Sequence, residues 1–189
     1  MKKLRVILIA IAIGGCSPQI ASHYTYLGDY EVDPYSMKGT LEDFNRDIEL
    51  DPDNDYAYYR RAFHKAANND LEGAILDYDQ VLSINPDLAD VYYKRGHDKA
   101  LLKRYNDAIV DYSEAIERSP EESMYYFARG FAYTETEELE KAIKDYDKVI
   151  QLDPDNGQAY SRRGKSKKMN GDLDGAKADL EKAKSMLKK

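Results

Sequence analysis

A spacing of 34 residues governs this chain. Asp51-Pro52, Asn85-Pro86, Ser119-Pro120 and Asp153-Pro154 recur at that step, each closing a stretch of periodic apolar residues. Ala74, Ala108, Ala142 and Ala176 keep it too. So do Tyr58, Tyr92, Tyr126 and Tyr160, each four residues before Ala62, Gly96, Gly130 or Gly164. No insertion or deletion disturbs the register from Asp55 to Lys189. A unit this short cannot bury its apolar face alone, so units must stack on one another, and the chain is confined to a quasi-one-dimensional array.

Each unit divides into two helical halves around a polar break: Asn68-Asn69-Asp70, Lys103-Arg104, Glu137-Glu138 and Gly171-Asp172. In one second half, Ala108, Ile109, Tyr112, Ala115 and Ile116 fall at i, i+1, i+4, i+7 and i+8, which is one stripe of an amphipathic helix. The stripe recurs in 74–82 and 142–150. The closing proline cannot continue the helix and pushes its predecessor out of the α region, forcing a turn into the next unit. Gly or Ala at the eighth position and Ala at the twentieth let the paired helices approach closely.

This pattern resembles the tetratricopeptide repeat family, whose 34-residue unit carries an aromatic, a small residue, a tyrosine, an alanine, a second aromatic and a terminal proline. Units 55–88, 89–122, 123–156 and 157–189 match, with Tyr78, Tyr112 and Tyr146 as the second-helix aromatic and Leu180 in the last unit. The resemblance implies an all-α fold, a right-handed superhelical α-solenoid of helix-turn-helix repeats. Upstream, 21–54 reads as a decayed unit. Tyr24, Leu27, Gly28, Phe44 and Pro52 fit, Thr40 and Asp47 do not, and Pro34 interrupts the break. Residues 38–54 are expected to hold a helix of this partial repeat. Residues 16–37 read as a tether and the start of the decayed unit, with the helicity of 21–37 left open.

One departure from the family is periodic. Arg61, Arg95, Arg129 and Arg163 stand where the family has leucine, and Asp77, Asp111, Asp145 and Asp179 follow sixteen residues later. Periodic opposite charges usually pair, so we expect a structural ladder of Arg–Asp pairs. The alternative reading is an anion-binding arginine row.

The amino terminus is of a different kind. Met1 to Arg5 carries three positive groups, an apolar run follows from Val6 to Ile13, and Gly14, Gly15 and Cys16 end it. This reads as a secretory leader over 1–15. Its eight apolar residues span about 12 Å as a helix, against roughly 30 Å of bilayer hydrocarbon. Ile13-Gly14-Gly15-Cys16 resembles a bacterial lipobox. That resemblance implies cleavage before Cys16 and lipidation (palmitate among the acyl chains) of the chain's only cysteine. An ordinary leader with an incidental cysteine is the alternative. Ser17 in the following position implies the bacterial outer membrane, facing the periplasm. Loss of the leader's three cations takes the formal charge from −7 to −10, so attachment would rest on lipid.

Composition narrows the function. With 33% charged residues, one cysteine and three histidines, the 189-residue chain has neither a disulfide framework nor zinc-finger spacing. Its acidity argues against nucleic acid as a partner. Asp51, Asp53 and Asp55 begin like a calcium loop, but Tyr56 and Ala62 replace the required Gly and Glu. No catalytic motif is present, so the reading is not an enzyme, with no cofactor, no metal and no small-molecule substrate.

Solenoids bind along the surface lined by their first helices. By the family resemblance, positions two, five, six and nine of each unit face that groove, which singles out Tyr56, Tyr59, Arg60 and Phe63; Tyr93, Lys94 and His97; Met124, Phe127 and Phe131; and Arg162 and Lys165. Aromatics in the first three units and cations in the last suit a peptide segment with apolar anchors and an acidic end. The alternative for any one ring is core packing. Tyr59, Phe63 and Lys94 stand where a carboxylate clamp would need Lys and Asn, so no clamp is expected. The expected function is a membrane-anchored adaptor or scaffold for other proteins. The alternative is a self-associating structural protein of the envelope, a homo-oligomer.

Overall fold

The computed structural model describes residues 39–186. The leader, Cys16, the tether and the questioned half-repeat of 21–37 lie outside the described residues. Within them the chain forms α1 (Leu41–Leu50), α2 (Asp55–Ala67), α3 (Leu71–Ile84), α4 (Ala89–Leu101), α5 (Tyr105–Arg118), α6 (Ser123–Glu135), α7 (Leu139–Leu152), α8 (Gly157–Met169) and α9 (Leu173–Met186). No strand occurs among them. Each hairpin pairs α2 with α3, α4 with α5, α6 with α7, or α8 with α9, and each second helix packs on the first helix of the next hairpin. The first helices also touch in series, α4 with α6 and α6 with α8. This is an all-α solenoid. No described helix is long and apolar enough to cross a membrane.

The polar breaks are closed by one repeated device. The N–H of Asp70 donates to the Lys65 carbonyl at 2.9 Å while that of Asn69 donates to Ala66 at 2.9 Å, the bonding of a Schellman cap. Arg104 to Lys99, Glu138 to Tyr133 and Asp172 to Lys167 repeat it at 2.9, 2.8 and 2.9 Å. The cap needs a left-handed residue, supplied by Asn69 (φ 64°), Lys103 (φ 60°), Glu137 (φ 61°) and Gly171 (φ 88°). Two of these turns then serve the next helix, since the carboxylates of Asp70 and Asp172 accept from the N–H of Gly73 and Gly175. Thr40, which departs from the repeat pattern, caps α1 in a reciprocal box with Asp43.

The periodic small and aromatic residues make the core. Ala74, Ala108 and Ala142 are fully buried, as are Tyr78, Tyr112 and Tyr146. Burying each such ring contributes about 2–3 kcal/mol. A Cβ added at Gly96 would meet Tyr112 at 2.9 Å and the Asp111 Cβ at 3.0 Å, so the eighth position is small because the second helix presses directly on it.

Candidate partner-binding groove and the arginine ladder

Both candidate surfaces follow from the stacking. Four arginines sit at the middle of the first helices, and each reaches the second helix of its own hairpin in a two-pronged bond. Arg61 donates from Nε and Nη2 to Asp77 at 2.9 and 2.7 Å. Arg95 meets Asp111 at 3.1 and 2.6 Å, Arg129 meets Asp145 at 2.9 and 2.9 Å, and Arg163 meets Asp179 at 2.8 and 2.6 Å. The remaining Nη1 of each arginine reaches back sixteen residues to the second helix of the preceding hairpin. Arg61 bonds Asn45 at 2.7 Å, Arg95 bonds Asp79 at 2.6 Å, Arg129 bonds Ser113 at 3.0 Å and Arg163 bonds Asp147 at 2.6 Å. Every arginine therefore ties two consecutive second helices together.

The tyrosine column and a lysine column complete the ladder. Tyr58, Tyr92, Tyr126 and Tyr160 lie under the guanidinium three residues on, at 5.4, 5.4, 5.8 and 5.4 Å. Lys65, Lys99 and Lys167 add a second cation to Asp77, Asp111 and Asp179 at 2.8, 2.8 and 3.0 Å. The third hairpin has Tyr133 in that column, so Asp145 has Arg129 alone. Asp145 and Asp179 differ in acidity accordingly. Burial holds Asp145 above the ordinary carboxylate range despite Arg129. Burial also opposes ionisation of Asp179, but Arg163 and Lys167 together outweigh it and hold that group below the range. The backward partner and the lysine column escaped the sequence reading. The lysines keep the 34-residue step and were legible; the backward partner varies among Asn, Asp, Ser and Asp and was not.

The groove residues divide by exposure. Tyr56, Met124, Arg162 and Lys165 are exposed, while Phe63, Tyr93, His97, Phe127 and Phe131 are half-buried. Tyr59, Arg60 and Lys94, expected on the open surface, are instead buried. Tyr59 packs on Tyr78 with ring centres 6.1 Å apart. The Arg60 guanidinium lies over Phe44 and Tyr56 and donates to the Tyr56 hydroxyl at 2.6 Å. Lys94 sits one turn from Asp90 with its Nζ 3.3 Å from the carboxylate.

Contacts between first helices join the residues of α4, α6 and α8 into one surface. Tyr93 on α4 lies against Tyr125 on α6, ring centres 5.3 Å apart. Phe127 and Phe131 on α6 are steadied from behind by Tyr146 and Tyr105, at 5.7 and 6.3 Å. Arg162 on α8 covers Phe131 at 5.1 Å. The surface offers ring faces over its first three hairpins and exposed cations over the fourth. No group of His, Cys, Asp and Glu that could hold a metal ion occurs among the described residues.

Comparison with known proteins agrees with this architecture. A family model described as TPR repeat matches residues 65–97 and 130–171, and another, described as Tetratricopeptide repeat, matches 89–122. The chain belongs to the tetratricopeptide repeat family. Among solved structures it is similar to a crystal structure of MamA, at 21% identity and TM-score 0.77 over 82% of this chain and 90% of that one. A second MamA crystal structure has 21% identity and TM-score 0.76, covering 90% and 93%. MamA 41-end from Desulfovibrio magneticus RS-1 has 22% identity and TM-score 0.75, covering 78% and 84%. These likenesses show the shared fold. No curated protein matches the sequence.

Proposed function

We propose that this protein is an adaptor held at a bacterial membrane surface by lipid on Cys16, capturing a segment of another protein along its first helices. The outer membrane, on its periplasmic side, is the location that the Cys16-Ser17 pair favours. One observation carries the capture reading. Phe127 and Phe131, one turn apart on α6, stay half-buried on the groove side although Tyr146 and Tyr105 already pack behind them. Rings held rigid and left partly open supply contact area at little entropic loss, the usual mark of a binding hot spot. Anchoring would confine the adaptor to two dimensions and raise its effective concentration for partners there.

Phe127→Ala with Phe131→Ala should abolish crosslinking to partners in cells while helicity by circular dichroism stays unchanged; undiminished capture would defeat the groove. Cys16→Ala should release the protein from the membrane fraction, and full retention would remove the anchor.

A second reading, self-association, is favoured by α9, whose Leu173, Ala176 and Leu180 line a shallow apolar hollow rimmed by Lys168, Lys177 and Lys184. Light scattering that gives a monomer mass at every concentration would exclude it.

A further inference from the structure

The two ends of the described stack carry opposite charge. Between Gly157 and Met186, α8 and α9 hold eight cations against four acids, whereas Leu41 to Asp55 holds seven acids against one cation, Arg46. α1 packs on α2 and α9 packs on α8, so the acidic and basic segments stand at opposite ends with seven helices between α1 and α9.

The repeat shows how α9 departs from the other second helices. Ile75, Ile109 and Ile143 share one repeat position, and Leu82, Ile116 and Ile150 share another one helical face away by two turns. All six are buried or half-buried, and Ile109 packs with Ala128 and Ala132 of the next hairpin. At the same two positions α9 has Lys177 and Lys184, both exposed. With Lys168 they rim the apolar hollow walled by Leu173, Ala176 and Leu180, and Glu181 is the one acid lining it. The hollow measures about 370 Å³, and an apolar cavity of roughly 150 Å³ already admits a benzene ring. Lysines in place of isoleucines suit a cover that has an apolar group surrounded by acids.

The opposite end presents such a group. Leu50, at the end of α1, is 77% exposed, more than any other large apolar side chain among the described residues. Asp47, Glu49, Asp51 and Asp53 flank it in the chain, and all four are exposed.

We propose that Leu50 of one copy enters the α9 hollow of a second copy, its flanking acids against Lys168, Lys177 and Lys184, so that the protein assembles head to tail. The inference rests on the self-association reading above and gives it a direction. Symmetric pairing of two α9 helices would set one lysine rim against another, and like charges so placed oppose association. Because knob and hollow are different surfaces, every added copy leaves one of each unused, and the contact propagates instead of stopping at a two-fold dimer.

The test uses the full chain, with its mass read by light scattering as concentration rises. The mass should climb past that of a dimer and fall back in about 1 M salt, where exposed charges are screened beyond roughly 3 Å. Leu50→Ala alters an exposed side chain and should weaken assembly at least tenfold with helicity unchanged. Lys177→Glu with Lys184→Glu turns the rim of the hollow acidic, and Asp47→Lys with Glu49→Lys and Asp53→Lys turns the surround of Leu50 basic. Each of these variants alone should stay monomeric, since its two ends then repel. Mixed in equal amounts they should assemble again, because the reversed ends attract each other and so do the two left unchanged. A mass that stops at the dimer, self-association of the Leu50-side variant alone through its unaltered α9, or a mixture that fails to assemble overturns the head-to-tail contact and leaves self-association standing. So does assembly that Leu50→Ala leaves undiminished. A monomer mass for the unaltered chain at every concentration overturns self-association and this contact with it.

Discussion

At the scale of single residues, each ladder arginine is held by three side-chain hydrogen bonds and a tyrosine ring. Arg95 neutralises Asp111, whose side chain is 2% exposed, and also holds Asp79, whose side chain is 45% exposed. Arg95→Leu restores the family's residue yet should destabilise by about 2–3 kcal/mol, because it strips a buried carboxylate of its forked partner. Asp79→Ala should lose about 0.5 kcal/mol, as a half-exposed pair does. Chemical denaturation in a double-mutant cycle should give strong coupling between Arg95 and Asp111 and weak coupling between Arg95 and Asp79; zero coupling to Asp111 would contradict the bonded geometry. Asp145 offers a finer test. Its folded-state pKa is raised, so its contribution to stability is greatest when it is protonated and is lost as pH climbs through that value. Tyr133→Lys gives it the second cation of its counterparts and should move its carbon-13 carboxyl titration downward while raising stability at neutral pH. The step of sixteen from Arg to Asp could be read in the sequence because both partners are invariant across the four units. Burial of Tyr59, Arg60 and Lys94 could not, since residue type at a repeat position says which way a helix face points and not how deeply neighbours cover it.

At the scale of elements, the hairpin turns all adopt one cap although their residues differ. Proline and polar breaks marked where helices end, but the cap was illegible because its left-handed position is filled by Asn, Lys, Glu and Gly in turn. Glycine suits that backbone best and asparagine tolerates it, whereas lysine and glutamate do not favour it. Lys103 and Glu137 hold the conformation because two cap hydrogen bonds and the packed hairpin over-determine it. Glu137→Gly should therefore stabilise the protein by about 0.5–1 kcal/mol, the relief of left-handed strain less the added freedom of the unfolded chain. A shift of the urea midpoint to lower concentration would show that the Glu137 side chain does more than tolerate its turn. The fourth hairpin, with Gly171 already in place, is the internal control.

At the scale of the described solenoid, contacts run within a hairpin or between adjacent hairpins, so stability is a sum over hairpins and their interfaces. Hydrogen exchange should reveal this as a gradient. Amides of α4 to α7, flanked on both sides, should exchange last, and those of α9 well before them; uniform protection from α4 to α9 would mean the stack unfolds as one cooperative block. The fourfold arginine bridge adds a mechanical property. Because each guanidinium fastens one second helix to the next, a hydrogen-bonded seam, ionic at Asp79 and Asp147, runs from α1 to α9, while the first helices are joined in large part by ring contacts. A coil stitched along one border resists stretching there and yields along the other. Bending must then be taken up by rings sliding apart, so the hollow can widen around a bulky guest without any rung letting go.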